Sequence, residues 1–370
     1  MCGGPIPTKM RYIVVPQPAP QEAAAEVTDV GSSAPSTPSD SSSSSSAAET
    51  AASFAALSAA AFSRQETAIA GTKAPGQTTA GAYVPGQLLV MPTAMPPPPP
   101  AAAAAAAPVE VRQVWAHNFD AEARLIESLL PRFRYAAVDT EFPGTVYRPA
   151  GPAYTLSPEK RYALLKANVD ELDLIQLGLT LFDGGAGAAA RHVWEFNFRE
   201  FDVRRHRHAP ESIAMLRTKG VDFARTRREG VDAAAFGPRL RRWLRAGLGR
   251  AGVVTFSGGY DLAYLVKMVY GRGYALPAEA PEFEAVAKAL LRRKVFDVKE
   301  MARRCPRDLR GGLERVAGKL DVARAVGEAH QAGSDSLLTC QTFMEMRERY
   351  FDDDDKLAMV AGVLGGINAR

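Results

Sequence analysis

Cysteine is nearly absent: Cys2, Cys305 and Cys340 are the only three among 370 residues, far apart and without a CxxC pair. This excludes reading a disulfide framework or a cysteine-based zinc site from the sequence and points to a reducing compartment. Long hydrophobic runs are missing as well. About 20 consecutive apolar residues occur nowhere, so no membrane span is expected, and the one apolar run near the start, Tyr12 to Val15, stops at Pro16. Charge of a single sign is also scarce, with 45 Lys+Arg against 41 Asp+Glu. Four of those basic residues and six of the acidic ones fall in residues 1–107, leaving the remainder near +6. Such an excess permits a phosphate-bearing ligand without requiring one. An organellar leader would be Arg-rich and poor in acids, the reverse of residues 1–107. The sequence is therefore read as that of a protein of the cytoplasm and nucleus.

Residues 1–107 have few aromatics, four of the 30, but hold 15 of the 26 prolines, a run of six serines (Ser41 to Ser46) and a run of seven alanines (Ala101 to Ala107). A segment of this composition cannot build a core and is expected to be a disordered, low-complexity extension, available for partner binding or phosphorylation. From residue 108 to 370 the pattern turns to periodic apolar segments with short polar breaks, and no second linker interrupts it. One domain is expected there.

Within it, Ala121 to Leu130 reads as a helix closed by Pro131, and Arg134 to Glu141 as a strand running into the turn Phe142-Pro143-Gly144. Leu172 to Asp183 and His192 to Phe198 alternate like strands, and the three fit an antiparallel meander. Helices follow around Pro210 to Leu216 and Ala233 to Ala246. Val253 to Phe256 then reads as a strand that passes through Gly258-Gly259 into a helix from Asp261 to Tyr270. A last short strand is expected at Val295 to Val298, with further helices after it. Strands first consecutive and later alternating with helices imply an α/β fold whose mixed sheet is covered by helices on both faces.

Asp139 and Glu141 stand two apart on the first of these strands, so both carboxylates project from one face while Thr140 points the other way. Two bare carboxylates on a desolvated face repel each other unless a cation or hydrogen bonds compensate. Taken alone, the pair also suits a solvated strand end. Asp261 lies at a strand-to-helix turn, where capping a helix N-terminus is an equal reading. Asp335 begins a helical run with Ser334 as an alternative cap, and His330 precedes it by five residues in a glycine-containing loop. Together the set is more specific. Four carboxylates match a site for two Mg²⁺ ions, whose hard-oxygen preference and pairing suit displacement at a phosphodiester. Proton removal from an attacking water calls for a general base, and His330 is the histidine placed beside these acids.

In the order and spacing of these residues the sequence resembles the DEDD superfamily of 3′-5′ exonucleases, in the subclass with a histidine five positions before the last aspartate. The stretches VDTEFPGTV, YALLKANVDELDLIQLGLTLFD, WEFNF, VTFSGGYDLAYLVK and HQAGSDSLLT look like the Caf/Pop-type poly(A) ribonuclease subunit of the Ccr-Not complex, over about residues 112–370. The resemblance implies a ribonuclease-H-like fold, with Asp139, Glu141, Asp261 and Asp335 as ligands of two divalent ions, Mg²⁺ or Mn²⁺, and His330 as general base. It implies shortening of messenger-RNA poly(A) tails from the 3′ end with release of 5′-AMP. It also implies partners: poly(A) RNA, the Ccr-Not scaffold and a second deadenylase subunit. The chain departs from the family in three places. Ser257-Gly258-Gly259 replaces a histidine-containing turn and is expected to be more flexible, the loop Arg148 to Lys160 is longer, and Glu300 and Ala302 stand where the family carries other residues. The altered turn keeps a weakly active docking subunit open as an alternative, and the same chemistry on a substrate other than poly(A) is a second.

Phe142 is a candidate to stack on a terminal adenine, with core packing the equal alternative. The basic run Arg204 to His208, with Arg225, Arg227 and Arg228, suits either an RNA backbone or simply a solvated face. Trp115, Trp194 and Trp243 are expected as core anchors.

Overall fold

The computed structural model describes residues 109–151, 155–184, 191–292, 294–306, 309–365 and 367, so the expectation for residues 1–107 lies outside the described residues. In chain order the elements are β1 (Val111–Val114), α1 (Phe119–Leu129), β2 (Tyr135–Glu141), α2 (Pro158–Glu171), β3 (Gln176–Phe182), β4 (His192–Asn197), α3 (Pro210–Thr218), α4 (Phe223–Glu229), α5 (Ala233–Ala246), β5 (Gly252–Thr255) and α6 (Gly259–Tyr270). There follow α7 (Ala280–Leu291), β6 (Val295–Asp297), α8 (Val298–Arg303), α9 (Leu313–Lys319), α10 (Ala332–Tyr350) and α11 (Asp354–Ala358). The strands make one six-stranded sheet in the order β1-β4-β3-β2-β5-β6. β2, β3 and β4 form the expected antiparallel meander, and β1, β5 and β6 join as parallel neighbours. The expected mixed sheet with helices on both faces is what forms.

Alternation along β2 distributes the core. Ala136 and Val138 pack on the side of α6, with Leu177, Leu179, Trp194, Phe196 and Trp243. Tyr135 and Ala137 pack on the opposite side with Phe296, Phe343 and Met346, under α10. Trp115, Trp194 and Trp243 are all buried. Burying a side chain of this size removes on the order of 2–3 kcal/mol of apolar exposure, so the two clusters hold the sheet between its helices.

Several boundaries differ from the sequence reading. The strand expected from Leu172 starts at Gln176, because Leu172 still caps α2 through its N–H to the Asn168 carbonyl. α2 itself arises inside the long loop: Ser157 accepts from the Lys160 N–H, and Pro158 occupies a first-turn position that needs no N–H donor. β1 is a four-residue edge strand whose pattern is too short to read from sequence. Among the described residues no helix is long and apolar enough to cross a membrane.

Candidate active site

The last residues of β2 carry the acidic pair to the end of the sheet. As expected, Asp139 and Glu141 share the face under α10, while Thr140 points to the α6 side and donates its hydroxyl to Asp261 Oδ1 at 2.6 Å. Asp261 does not cap α6. Gly258 is the N-cap, and Asp261 sits inside the first turn, where Thr140 and the helix N-terminus both favour its charge. The helix thus brings Asp261 over the strand end from one side.

α10 brings Asp335 from the other side, and a glycine makes this possible. Gly178 pairs with Asp139 across the β2–β3 ladder, and a Cβ there would lie 1.8 Å from the Ala332 carbonyl oxygen. The start of α10 therefore presses directly onto the strand beside Asp139. His330, two residues before the helix, has the left-handed φ of +65°. That turn lets its N–H reach back to Asp335 Oδ2 at 2.8 Å and sets its half-exposed imidazole 3.8 Å, Nδ1 to Oε1, from Glu141. Ligand atoms of Glu141, His330 and Asp335 all lie within 4.8 Å of one another.

The electrostatics are those of buried, mutually repelling acids. Desolvation, with the charges of Asp335, Asp261 and Glu141, pushes Asp139 well above the usual carboxylate range. Burial, with Asp335, Asp261 and Glu195, does the same to Glu141. Asp261 is pushed up to about 7, chiefly by burial, with the Thr140 hydrogen bond opposing. Burial also raises Asp335, against the pull of Arg324 and the His330 N–H. Among the described residues the Asp139 carboxylate accepts no hydrogen bond, and of the nearby charges only that of Arg324 opposes its desolvation.

Three supporting residues were not found by sequence reasoning. Arg324 lies eleven residues before Asp335, donates to Asp335 Oδ1 and is held by Glu314. Glu195 sits next to Gly178 in the ladder and is fixed by Gln113 and Gln176 side chains and by the Gly333 N–H at 2.9 Å. Its place on β4, out of phase with Trp194 and Phe196, was the available signal. Asp297, fully buried at the end of β6, accepts from the N–H groups of Ser257 at 2.8 Å, Gly258 at 3.1 Å and Gly365 at 2.9 Å. The Ser257-Gly258-Gly259 turn expected to be flexible is thus pinned at its start. Its glycines serve close approach: a Cβ on Gly258 would meet Thr255 Oγ1 at 2.0 Å, and one on Gly259 would meet the Gly365 carbonyl at 2.6 Å. The other two departures have plain positions. The long loop gives α2 its start, and Glu300, on α8, pairs with Arg303 at 3.0 Å.

Phe142 is stacked on Tyr260, with ring centroids 4.8 Å apart and 19° between planes, and also touches Tyr264. It remains partly exposed beside Glu141.

With this geometry in place, comparison with known proteins gives consistent matches. Residues 114–233 match the model of the CAF1 family ribonuclease. The probable CCR4-associated factor 1 homolog 7 of Arabidopsis thaliana is 38% identical over 271 residues, which cover 71% of this chain and 94% of that protein. The poly(A) ribonuclease pop2 of Schizosaccharomyces pombe is 39% identical over 246 residues, 65% of this chain and 70% of that protein. A solved structure of S. pombe Pop2p in its Mg²⁺- and Mn²⁺-bound form superposes with a TM-score of 0.61 at 38% identity, covering 69% of this chain and 99% of that one. Yeast CAF1, co-crystallized with the NOT1 MIF4G domain, superposes with a TM-score of 0.56 at 25% identity, covering 73% and 100%.

Proposed function

The chain belongs to the CAF1 family of ribonucleases, and from that premise we propose that it shortens the poly(A) tails of messenger RNA from the 3′ end, releasing 5′-AMP. The observation that carries this reading is the convergence of Glu141, His330 and Asp335 beside a strand whose carboxylates have no compensating donor. The four carboxylates beside it suit hard divalent cations: all-oxygen, crowded and pushed toward protonation by burial and by repulsion that a cation would remove. Asp139, Glu141, Asp261 and Asp335 would hold two such ions, Mg²⁺ or Mn²⁺. When bound, the ions supply charge stabilisation at the attacking and leaving oxygens of the phosphodiester.

The chain's own groups do the rest. His330, on its left-handed turn, accepts the proton of the attacking water at its imidazole. The water oxygen bonds to phosphorus, the bond to O3′ of the preceding nucleotide breaks, and the proton passes to that oxygen. Arg324 fixes the rotamer of Asp335, and Thr140 that of Asp261. Phe142, already paired with Tyr260, would present a ring edge or its free face to the terminal base. The family relationship and the yeast CAF1–NOT1 structure support binding to a Ccr-Not scaffold domain. A second deadenylase subunit is a further partner that the sequence resemblance alone implies.

Incubation of labelled poly(A) RNA with Mg²⁺ tests this directly. Wild type should produce a ladder running to mononucleotide. Asp139→Ala should lose at least about a thousandfold in rate, since metal charge stabilisation is worth several kcal/mol, and keep its circular dichroism. Equal rates in the two proteins would refute the assignment, and poly(U) and oligo(dA) in parallel read its base and sugar preference.

A further inference from the structure

The stretch from Asp202 to Ala209 is an ordered turn. The Arg205 and His206 N–H groups both donate to the Asp202 carbonyl, at 3.0 and 2.9 Å, and the Arg204 N–H donates to Asp202 Oδ1 at 2.9 Å. The Asp202 N–H returns to His206 Nδ1 at 3.2 Å. His206 and His208 both lean on the buried Phe201 ring, each 6.1 Å between centroids. With the histidines turned inward, Arg204, Arg205 and Arg207 are left exposed on the outside. Arg207 lies over the Tyr147 ring at 4.8 Å and donates to its hydroxyl at 2.8 Å, so its guanidinium is held in place. Among the described residues neither Arg204 nor Arg207 has a carboxylate within ion-pair distance.

This turn abuts the site. The Ala209 N–H donates to the Pro143 carbonyl at 2.8 Å, two residues past Glu141. Tyr147 is six residues past Glu141, a span of at most about 20 Å of extended chain. α3, which begins at Pro210, leads to Lys219, whose carbonyl accepts from Gln331 and whose ammonium meets Glu328 at 3.2 Å, beside His330. The arginine turn and α3 therefore border the acidic cleft from the Glu141 side to the His330 side.

Resting on the nuclease reading above, we propose that Arg204, Arg205 and Arg207 form a phosphate-binding subsite that holds single-stranded RNA upstream of the terminal nucleotide, with Tyr147 keeping Arg207 aimed. Arg207, held by Tyr147, and Arg204, with no carboxylate at ion-pair distance, are free for contact with phosphate oxygens, and Arg205, whose exposed guanidinium lies 3.8 Å from Asp202, adds positive charge beside them. They also oppose the repulsion that the carboxylates of the cleft exert on an approaching polyanion.

The test compares wild type, Arg204→Glu/Arg207→Glu and, as a surface control on α5, Arg245→Glu. Binding of a fluorescent twenty-nucleotide oligo(A) is followed by anisotropy in EDTA, where no cleavage occurs, across a potassium chloride series. The double variant should bind about tenfold more weakly at low salt. Its slope of log affinity against log salt should fall by about 1.4, near 0.7 for each lost phosphate contact on a single strand. With Mg²⁺ its KM for the twenty-mer should rise, kcat should hold, and the loss should shrink to under twofold on a trinucleotide. Arg245→Glu should match wild type. Unchanged affinity and slope would overturn the proposal and leave the turn to an acidic protein surface; an equal loss on the trinucleotide would overturn it as a general electrostatic effect. A wild type without nuclease activity would sink the nuclease reading, while the anisotropy series would still decide on the arginines.

Discussion

Two groups of desolvated carboxylates lie at the same end of this sheet, and the chain treats them oppositely. Asp297, at the end of β6, is fully buried and accepts from three backbone N–H groups belonging to two different loops, besides the first turn of α8 that it caps. Asp139 and Glu141, at the end of β2, receive no hydrogen bond from a side chain or backbone N–H among the described residues and are pushed toward protonation by burial and by the charges of Asp335 and Asp261. A carboxylate whose lone pairs are filled by the protein stabilises the fold. One left without donors in a low-dielectric cleft destabilises it, and is retained where something outside the chain supplies the charge. The difference separates a residue that builds the cleft from the residues proposed to use it.

Substitution should therefore move stability in opposite directions at the two places. The larger effect is expected at Asp297. Asp297→Asn turns an accepting oxygen into a donor facing the Ser257, Gly258 and Gly365 N–H groups, which should cost about 2–3 kcal/mol in urea unfolding. Because the turn it pins leads into α6, nuclease activity should fall along with stability. Asp139→Asn, measured without metal, should instead raise stability by about 1 kcal/mol while abolishing activity. A loss at Asp139 as large as that at Asp297 would erase the contrast.

A smaller effect follows from pH. In the metal-free protein the acids of the cleft have raised pKa values, so the folded chain binds more protons than the unfolded one. The stability tied to those protons is complete below the unfolded value near 3.8 and is lost as pH rises, for Asp261 until about 7. Urea midpoints in EDTA should thus fall between about pH 5 and about pH 8. Mg²⁺ should restore the midpoint most at the higher pH, because metal competes with protons for the same oxygens. A midpoint that rises across this range in EDTA would mean the crowding at the strand end is relieved within the chain.

Much of this arrangement was legible in the sequence because it is local. The period-two alternation of residues 135–141 fixed which side chains share a face, and it separated Asp139 and Glu141 from Thr140 correctly. The glycine pair before Asp261 and the loop before Asp335 marked strand-to-helix and loop-to-helix junctions. What was not legible is long-range. That Thr140 bonds to Asp261, 121 residues away, depends on α6 crossing the strand end. That Arg324 meets Asp335 and Asp297 meets Ser257 depends on loops whose course no periodicity records. Ser157-Pro158 carried a helix start signal in a stretch that otherwise reads as loop. Phe142 shows the limit of residue-type reasoning: its ring is already stacked on Tyr260, a partner set by the fold.

The most direct measurement is calorimetric titration of the full chain with Mn²⁺ at neutral pH, alongside Glu141→Gln. Two ions should bind per wild-type chain with release of protons, and the variant, whose ladder of β2 to β3 is unaltered, should lose at least one of them. Absence of Mn²⁺ binding in a folded wild type, or an isotherm that Glu141→Gln leaves unchanged, would contradict the account.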